Sequence, residues 1–194
     1  MTTDLDSTAA PIMTEALVLI DLQNDYFPGG TMELDDADGA VEQAALLLQS
    51  FREKGLLIFH IQHIAKRPGA TFSFPARPAP SFTAPCSRAP VRRRGQAHFP
   101  NSFRETTLLE DLRAAGASKL TFAGMMTHMC VDTTVRAAAD LGFPCSLAQD
   151  RCATRALQFG AEGVEADKVQ LAYLAGLNGA FASVKPARDL CAAL

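Results

Sequence analysis

The sequence predicts an α/β fold in which a parallel sheet carries helices on both faces. Two observations lead there: short, continuously apolar runs of strand length, and between them longer stretches whose apolar residues recur at helical spacing. There is no internal repeat. Ala16 to Ile20 (ALVLI) is the first apolar run, and it ends at Asp21, ahead of the turn-forming Pro28, Gly29 and Gly30. Val41, Ala44, Ala45, Leu48 and Phe51 then repeat at helical spacing, with Gly55 placed to close that helix. Leu56 to Ile61 (LLIFHI) predicts a second buried strand. After a gap, Thr106 to Ala114 predicts a helix, Lys119 to Ala123 a strand, Met129 to Leu141 a helix stopped by Gly142, and Cys145 to Ala148 a strand. Glu165 to Leu177 completes the helices and Ala180 to Val184 the strands. In such sheets, sites form outside the carboxyl ends of the strands, at the crevice where strand order reverses.

A chain of 194 residues with 48% hydrophobic content fits one domain around one well-buried core. The net charge of -3 asks for neither a nucleic-acid partner nor a membrane surface, and no apolar run is long enough to span a bilayer. Residues 1–14 contain acids and lack the basic start and apolar core of a signal segment, so a flexible tail is expected ahead of a single domain over residues 15–194. The expected location is the cytoplasm. Cys86, Cys130, Cys145, Cys152 and Cys191 make an odd set without a CxxC pair, which favours reduced thiols over a disulfide frame or a zinc knuckle.

The chemistry concentrates in Gly124 to Arg136 (GMMTHMCVDTTVR), where Cys130 lies at the hand-over from strand to helix. Amide groups in a first helical turn lack partners and carry partial positive charge, so they stabilise a thiolate, lower its pKa and can hold an oxyanion. Cys130 is therefore the candidate nucleophile; its plain alternative is a small buried hydrophobe. Asp21 ends a different strand. If the two strands are neighbours, it reaches the thiol as a general base; otherwise it is a turn or helix-capping acid.

Together, LVLIDLQNDYF, HFPNSFRETTLLEDL and GMMTHMCVDTTVRAAADLGF resemble, in order and spacing, the three motifs of the isochorismatase-like cysteine hydrolases. That superfamily includes nicotinamidases, N-carbamoylsarcosine amidohydrolases and ureidoacrylate amidohydrolases. The resemblance runs from about Ala16 to Ala70 and again from about His98 to Val184. It implies a Rossmann-like three-layer sandwich with a central, mainly parallel, six-stranded sheet, a homo-oligomer (dimer or tetramer), and an Asp, Lys, Cys triad to which Asp21 and Cys130 correspond. It also implies a cis peptide between Met125 and Met126, with the Met126 and Cys130 N–H groups forming an oxyanion hole.

One position departs from the pattern. The resemblance places the lysine six residues before Phe103, where this chain has Ala97. The surrounding Ser73 to Ala97 (SFPARPAPSFTAPCSRAPVRRRGQA) is rich in proline and arginine and lacks the apolar strand expected just ahead of that lysine. Two readings stand. The segment is a divergent surface loop, or it is read out of frame, since loss of one base near Ser73 makes its codons compatible with FLPGTPGAELHGA, which resembles the family's substrate-side loop. With Ala97 in place the triad lacks its cation, so the pKa of both the thiol and Asp21 should rise and turnover should fall.

His60 and His63 form HxxH, but residues three apart on a strand point to opposite faces, and HIQHIAKRPG does not match the DxHxxxxH-like pattern of metal-binding relatives. Neither a metal nor a cofactor is expected. His128 lies two residues before Cys130, roughly 200° away on a helix, so a direct dyad is disfavoured although His128 can line a pocket. Phe27, with Tyr26, can wall a substrate site or pack locally. Asp150 is expected in a turn or cap. The predicted function is hydrolysis of a small amide, carbamoyl or ureido C–N bond through a thioester, with a small-molecule substrate. The alternatives are a catalytically silent binding or scaffold protein, favoured by Ala97, and a thiol redox sensor, which needs a resolving cysteine.

Overall fold

The computed structural model of the protein describes residues 14–66 and 93–194. The expected tail therefore falls outside the description up to residue 13. Thr14 belongs to the domain: its carbonyl accepts a bond from the Ser118 N–H at 2.9 Å and its N–H bonds Ser118 Oγ at 3.0 Å. Both readings of the segment from Ser73 lie outside the described residues up to 92.

Six strands make the central sheet: β1 (Glu15–Ile20), β2 (Leu57–His63), β3 (Arg93–Ala97), β4 (Lys119–Met125), β5 (Cys145–Ala153) and β8 (Ser183–Lys185). Their order is β3-β2-β1-β4-β5-β8, and every neighbouring pair is parallel. Between β5 and β8, β6 (Leu157–Phe159) and β7 (Glu162–Val164) form a separate antiparallel hairpin. Helices α1 (Ala37–Glu53) and α5 (Ala187–Ala192) cover one face. On the other lie α2 (Leu108–Ala114), α3 (Asp132–Asp140) and α4 (Ala166–Leu177). This is the three-layer α/β sandwich the sequence predicts.

The first strand shows why its run is unbroken. Ala16, Val18 and Ile20 pack with Leu112, Val131 and Val135 on one face, while Leu17 and Leu19 pack with Leu47, Leu48 and Phe51 on the other. Alternate side chains of a strand point to opposite faces, and here both faces are dry. The chain starts at the sheet's centre, steps outward through β2 to β3, then returns to lay β4 on the free side of β1. Strand order thus reverses between β1 and β4, and this switch point, where sites form in such sheets, lies at the paired Ile20 and Gly124.

The correction concerns β3. RRGQA has no apolar run, yet it pairs with β2 from Phe59↔Arg93 to His63↔Ala97. At the sheet's edge a strand bonds a neighbour on one side only, so backbone pairing there does not require the apolar alternation of a central strand, and charged residues suit it. The strand expected ahead of residue 97 is therefore present, made from an unexpected sequence. A second difference lies in β5, where the register with β4 shifts between Phe122 and Gly124 and the strand resumes through Cys152 and Ala153. Gln149 and Asp150 are exposed in the irregular stretch. Asp150 Oδ1 accepts a bond from the Ala187 N–H at 2.9 Å, a cap on α5 supplied from outside the helix.

Candidate functional site

The site is built where β1 and β4 end side by side. Asp21 leaves β1 in the left-handed backbone region, at φ 51°, which aspartate tolerates better than most residues. Its N–H bonds the Ile61 carbonyl at 3.0 Å, so its backbone stays fixed to β2. Two residues on, the buried Gln23 extends that pairing with its side chain. Its Oε1 accepts from the His63 N–H at 2.7 Å and its Nε2 donates to the His63 carbonyl at 3.2 Å. The amide side chain thus stands in for a strand residue and clamps the end of β2 to the exit of β1.

On the β4 side, Gly124 adopts φ +142°, and a Cβ there would lie 2.0 Å from the Ile20 carbonyl oxygen. Only glycine lets the two strands approach this closely. The Met125–Met126 peptide is cis, and a π-helical turn over Thr127–Val131 follows, so Cys130 precedes the regular α3 rather than opening it. Thr127 Oγ1 donates to the Ala153 carbonyl at 3.1 Å, anchoring the turn to the end of β5. The Met126 carbonyl accepts from the Met129 N–H at 3.0 Å and the Val131 N–H at 3.2 Å.

These constraints bring Asp21 and Cys130 together in a buried place; they are 1% and 5% exposed. A carboxylate oxygen of Asp21, a ring nitrogen of His63 and Sγ of Cys130 all lie within 4.8 Å of one another, close enough to hold a metal ion. His60, the other histidine of HxxH, is not in that group. Burial pushes the Asp21 carboxyl up to about 7, against the opposing pull of hydrogen bonds from the Cys130 thiol and the His63 backbone. The Cys130 thiol stands well above its ordinary range because of burial, the Asp21 charge and the hydrogen bond to Asp21, in that order; its own N–H pulls the other way. The expectation of a lowered thiol pKa from the helix start is therefore corrected: desolvation and a neighbouring acid outweigh the amide groups. The expectation that both groups rise without the lysine agrees with these directions.

Ala97 is 2% exposed and packs in the same cluster as Cys130 and Ile61, so a methyl stands where the resemblance places an ammonium. Asp21 Oδ1 has no hydrogen-bond partner among the described residues. Beyond β3, the central motif ties this edge to the helix that follows Cys130: the Ser102 N–H bonds Thr134 Oγ1 at 3.0 Å, and the Ser102 and Thr134 hydroxyls lie 2.9 Å apart.

The two substrate candidates separate. Phe27 is half-buried against the core cluster of Leu22, Tyr26 and Leu34. The buried Tyr26 is the ring nearer the chemistry: after burial, the charges of Asp21 and Cys130 are the main causes that raise its pKa. His128 bonds Thr154 Oγ1 through Nδ1, meets Tyr173 edge to face at 6.1 Å, and has its pKa lowered by burial and by Arg155. It faces the end of β5 and α4. Sequence reasoning missed Gln23 as a clamp and His63 as a neighbour of the thiol. A polar residue two beyond a strand's end, opposite a second strand, was the available signal for Gln23. For His63 the signal was its place at the carboxyl end of β2. Cys130, Cys145, Cys152 and Cys191 are free thiols, and Cys86 lies outside the described residues.

Residues 15–177 match the Isochorismatase domain family. An isochorismatase family protein of Bacillus subtilis (strain 168), YddQ, itself uncharacterised, is 42% identical over 89% of this chain and 96% of its own. A streptothricin hydrolase of Streptomyces noursei is 32% identical over 76% of this chain and 58% of its own. Among solved structures, one provisionally described as an isochorismatase hydrolase from Oleispira antarctica superposes with a TM-score of 0.89 at 38% identity, covering 95% of this chain and 99% of that one. The match over residues 15–177 and the fold shared with that structure settle the membership: the chain belongs to the isochorismatase family of hydrolases.

Proposed function

We propose that the protein is a cysteine hydrolase that cleaves a small amide, carbamoyl or ureido C–N bond through a thioester acyl-enzyme. The observation that carries this reading is the Cys130 thiol hydrogen-bonded to the buried Asp21 carboxyl at the sheet's switch point. Asp21 in its ionised form takes the thiol proton as Sγ attacks the carbonyl carbon, and the Met126 and Cys130 N–H groups hold the oxyanion. The proton passes to the nitrogen of the leaving amine as the C–N bond breaks. Asp21 then draws a proton from water, whose oxygen attacks the thioester; the acid product leaves and the thiol is restored. An acid with a pKa of about 7 is well matched to giving and taking protons near neutrality. Ala97 leaves the thiolate without the lysine's charge, so turnover is low.

The substrate is a small molecule; neither nucleic acid nor a membrane takes part, and among the described residues no helix is long and apolar enough to cross a membrane. Free thiols suit a reducing, cytoplasmic setting. The assembly is a homo-oligomer, dimer or tetramer, with Phe159 of the hairpin, 89% exposed, and Leu171 of α4 available for contacts between copies.

The test is ammonia or amine release from a panel of small amides, carbamoyl and ureido compounds, with Cys130→Ser alongside. Release that disappears in Cys130→Ser is the expected result. Full retained activity in that variant rules out covalent thiol catalysis, and a folded parent protein inert to the whole panel favours the silent scaffold.

A further inference from the structure

Asp21, His63 and Cys130 reach one place from separate parts of the chain, and each is held there by bonds of its own. Asp21 is tied through its N–H to the Ile61 carbonyl at 3.0 Å, and the Gln23 side chain holds the His63 backbone from both directions. The next residue, Ile64, donates its N–H to the Ala97 carbonyl at 2.8 Å, which fixes the strand end that carries His63. Thr127 anchors the π turn of Cys130 to the Ala153 carbonyl. All three side chains are buried, and a carboxylate oxygen, a ring nitrogen and Sγ lie within 4.8 Å of one another. Bond lengths of about 2.0 to 2.3 Å set the ligand atoms of a tetrahedral zinc site roughly 3 to 4 Å apart, so small side-chain rotations close this triangle on an ion.

We infer that Asp21, His63 and Cys130 form a binding site for a zinc-type divalent cation, whose occupancy takes the thiol out of reaction. The donor set selects the ion. Sulfur and imidazole nitrogen beside one carboxylate suit zinc and its neighbours, whereas magnesium and calcium take oxygen ligands. Binding exchanges the S–H bond for a metal–sulfur bond; the proton leaves to solvent, and no electron changes hands. Carboxylate and thiolate together then balance the charge of the dication, the imidazole adds a neutral lone pair, and a fourth position stays open for water. The site stands on geometry alone; only the silencing of the thiol rests on the proposed role of Cys130 as nucleophile.

Two further observations point the same way. Asp21 Oδ1 is buried with no hydrogen-bond partner among the described residues, a costly state that a bound cation relieves. Residue 97, in the buried cluster that holds Cys130, carries a methyl and so no charge to repel a dication. The HxxH pattern did not mark this site, because His60 is outside it and the other two ligands follow β1 and β4.

The test needs no substrate. The intact, reduced chain is freed of metal with EDTA, desalted and titrated with cobalt(II), whose thiolate charge-transfer and tetrahedral d–d absorption bands report sulfur ligation and geometry. The parent should show both. Cys130→Ser should lose the charge-transfer band, and His63→Gln and Asp21→Asn should each weaken cobalt binding about tenfold or more. No charge-transfer band in the parent, or an undiminished one in Cys130→Ser, overturns the inference, as does unchanged cobalt affinity in folded His63→Gln and Asp21→Asn. Should the variants fail to fold, iodoacetamide labelling of the parent decides. Zinc must slow alkylation of the Cys130 peptide about tenfold or more, EDTA must restore it, and the half-buried Cys191 must react alike throughout. Equal labelling of Cys130 with and without zinc overturns the site. A cobalt band in a protein inert toward the amide panel leaves the site standing and sinks the hydrolase reading; amide release from a protein without the band does the reverse.

Discussion

The turn from Gly124 to Val131 and the edge strand from Arg93 to Ala97 both deliver residues to the same buried cluster, and they are built on opposite terms. The turn is over-determined: a glycine only glycine can replace and Thr127 bonded to β5 hold the thiol in one place. The edge strand is held by backbone pairing to one neighbour, and what it delivers is a methyl group. Frame and chemistry are therefore separable in this fold. Pairing can place residue 97 correctly whatever side chain it carries, whereas the position of the thiol depends on the identity of each residue around it.

The comparison can be broken most severely at Gly124. Gly124→Ala sets a Cβ against the Ile20 carbonyl, and a loss of about 4 kcal/mol or more in urea unfolding, or failure to fold, is expected. A loss under about 1 kcal/mol would mean the turn is not over-determined. Next comes the acid between the two regions. The folded Asp21 keeps its proton to about pH 7, while its unfolded value is 3.8. The unfolded chain therefore holds fewer protons in that window, and stability falls as pH rises through it, by on the order of 4 kcal/mol in full. Asp21→Asn should flatten this decline in unfolding measurements between about pH 4 and pH 8, and a parallel decline in both proteins would remove Asp21 as its source.

A substitution at the edge sharpens the contrast. Ala97→Lys should raise hydrolysis of a responsive substrate by about tenfold or more, since the ammonium enters a place framed by β3 in the cluster that holds Cys130, and Asp21 Oδ1 has no hydrogen-bond partner among the described residues. No gain in a folded variant would mean that position 97 does not address the site. The smallest effect lies away from both regions. Asp150→Ala removes the outside cap of α5 and should cost about 1 kcal/mol in thermal unfolding without changing Cys130 alkylation.

Much of this was legible beforehand because the relevant forces are local. Continuous apolar runs marked β1, β2 and β4 since both faces of the sheet are dry, and glycines marked helix ends, with Gly55 at φ +66° and Gly142 at φ +89°. The hairpin of β6 and β7 went unread: its strands have three residues each, and those of β7 are all exposed, so no apolar alternation exists to see. The first half of β5 was read and its resumption was not, because two exposed polar residues interrupt the pattern.

By itself the sequence determined the alternating α/β architecture, the placing of an acid and a thiol each at the end of its own strand, and the absence of a lysine at residue 97, all properties of residue type and spacing. Tertiary structure alone decided that RRGQA is a strand, that His63 stands beside Cys130, and that the thiol pKa rises where a helix start would lower it. The physical reason is common to all three. Edge pairing, convergence of side chains from separate strands, and desolvation are each set by what packs alongside, and residues distant in the chain supply those neighbours.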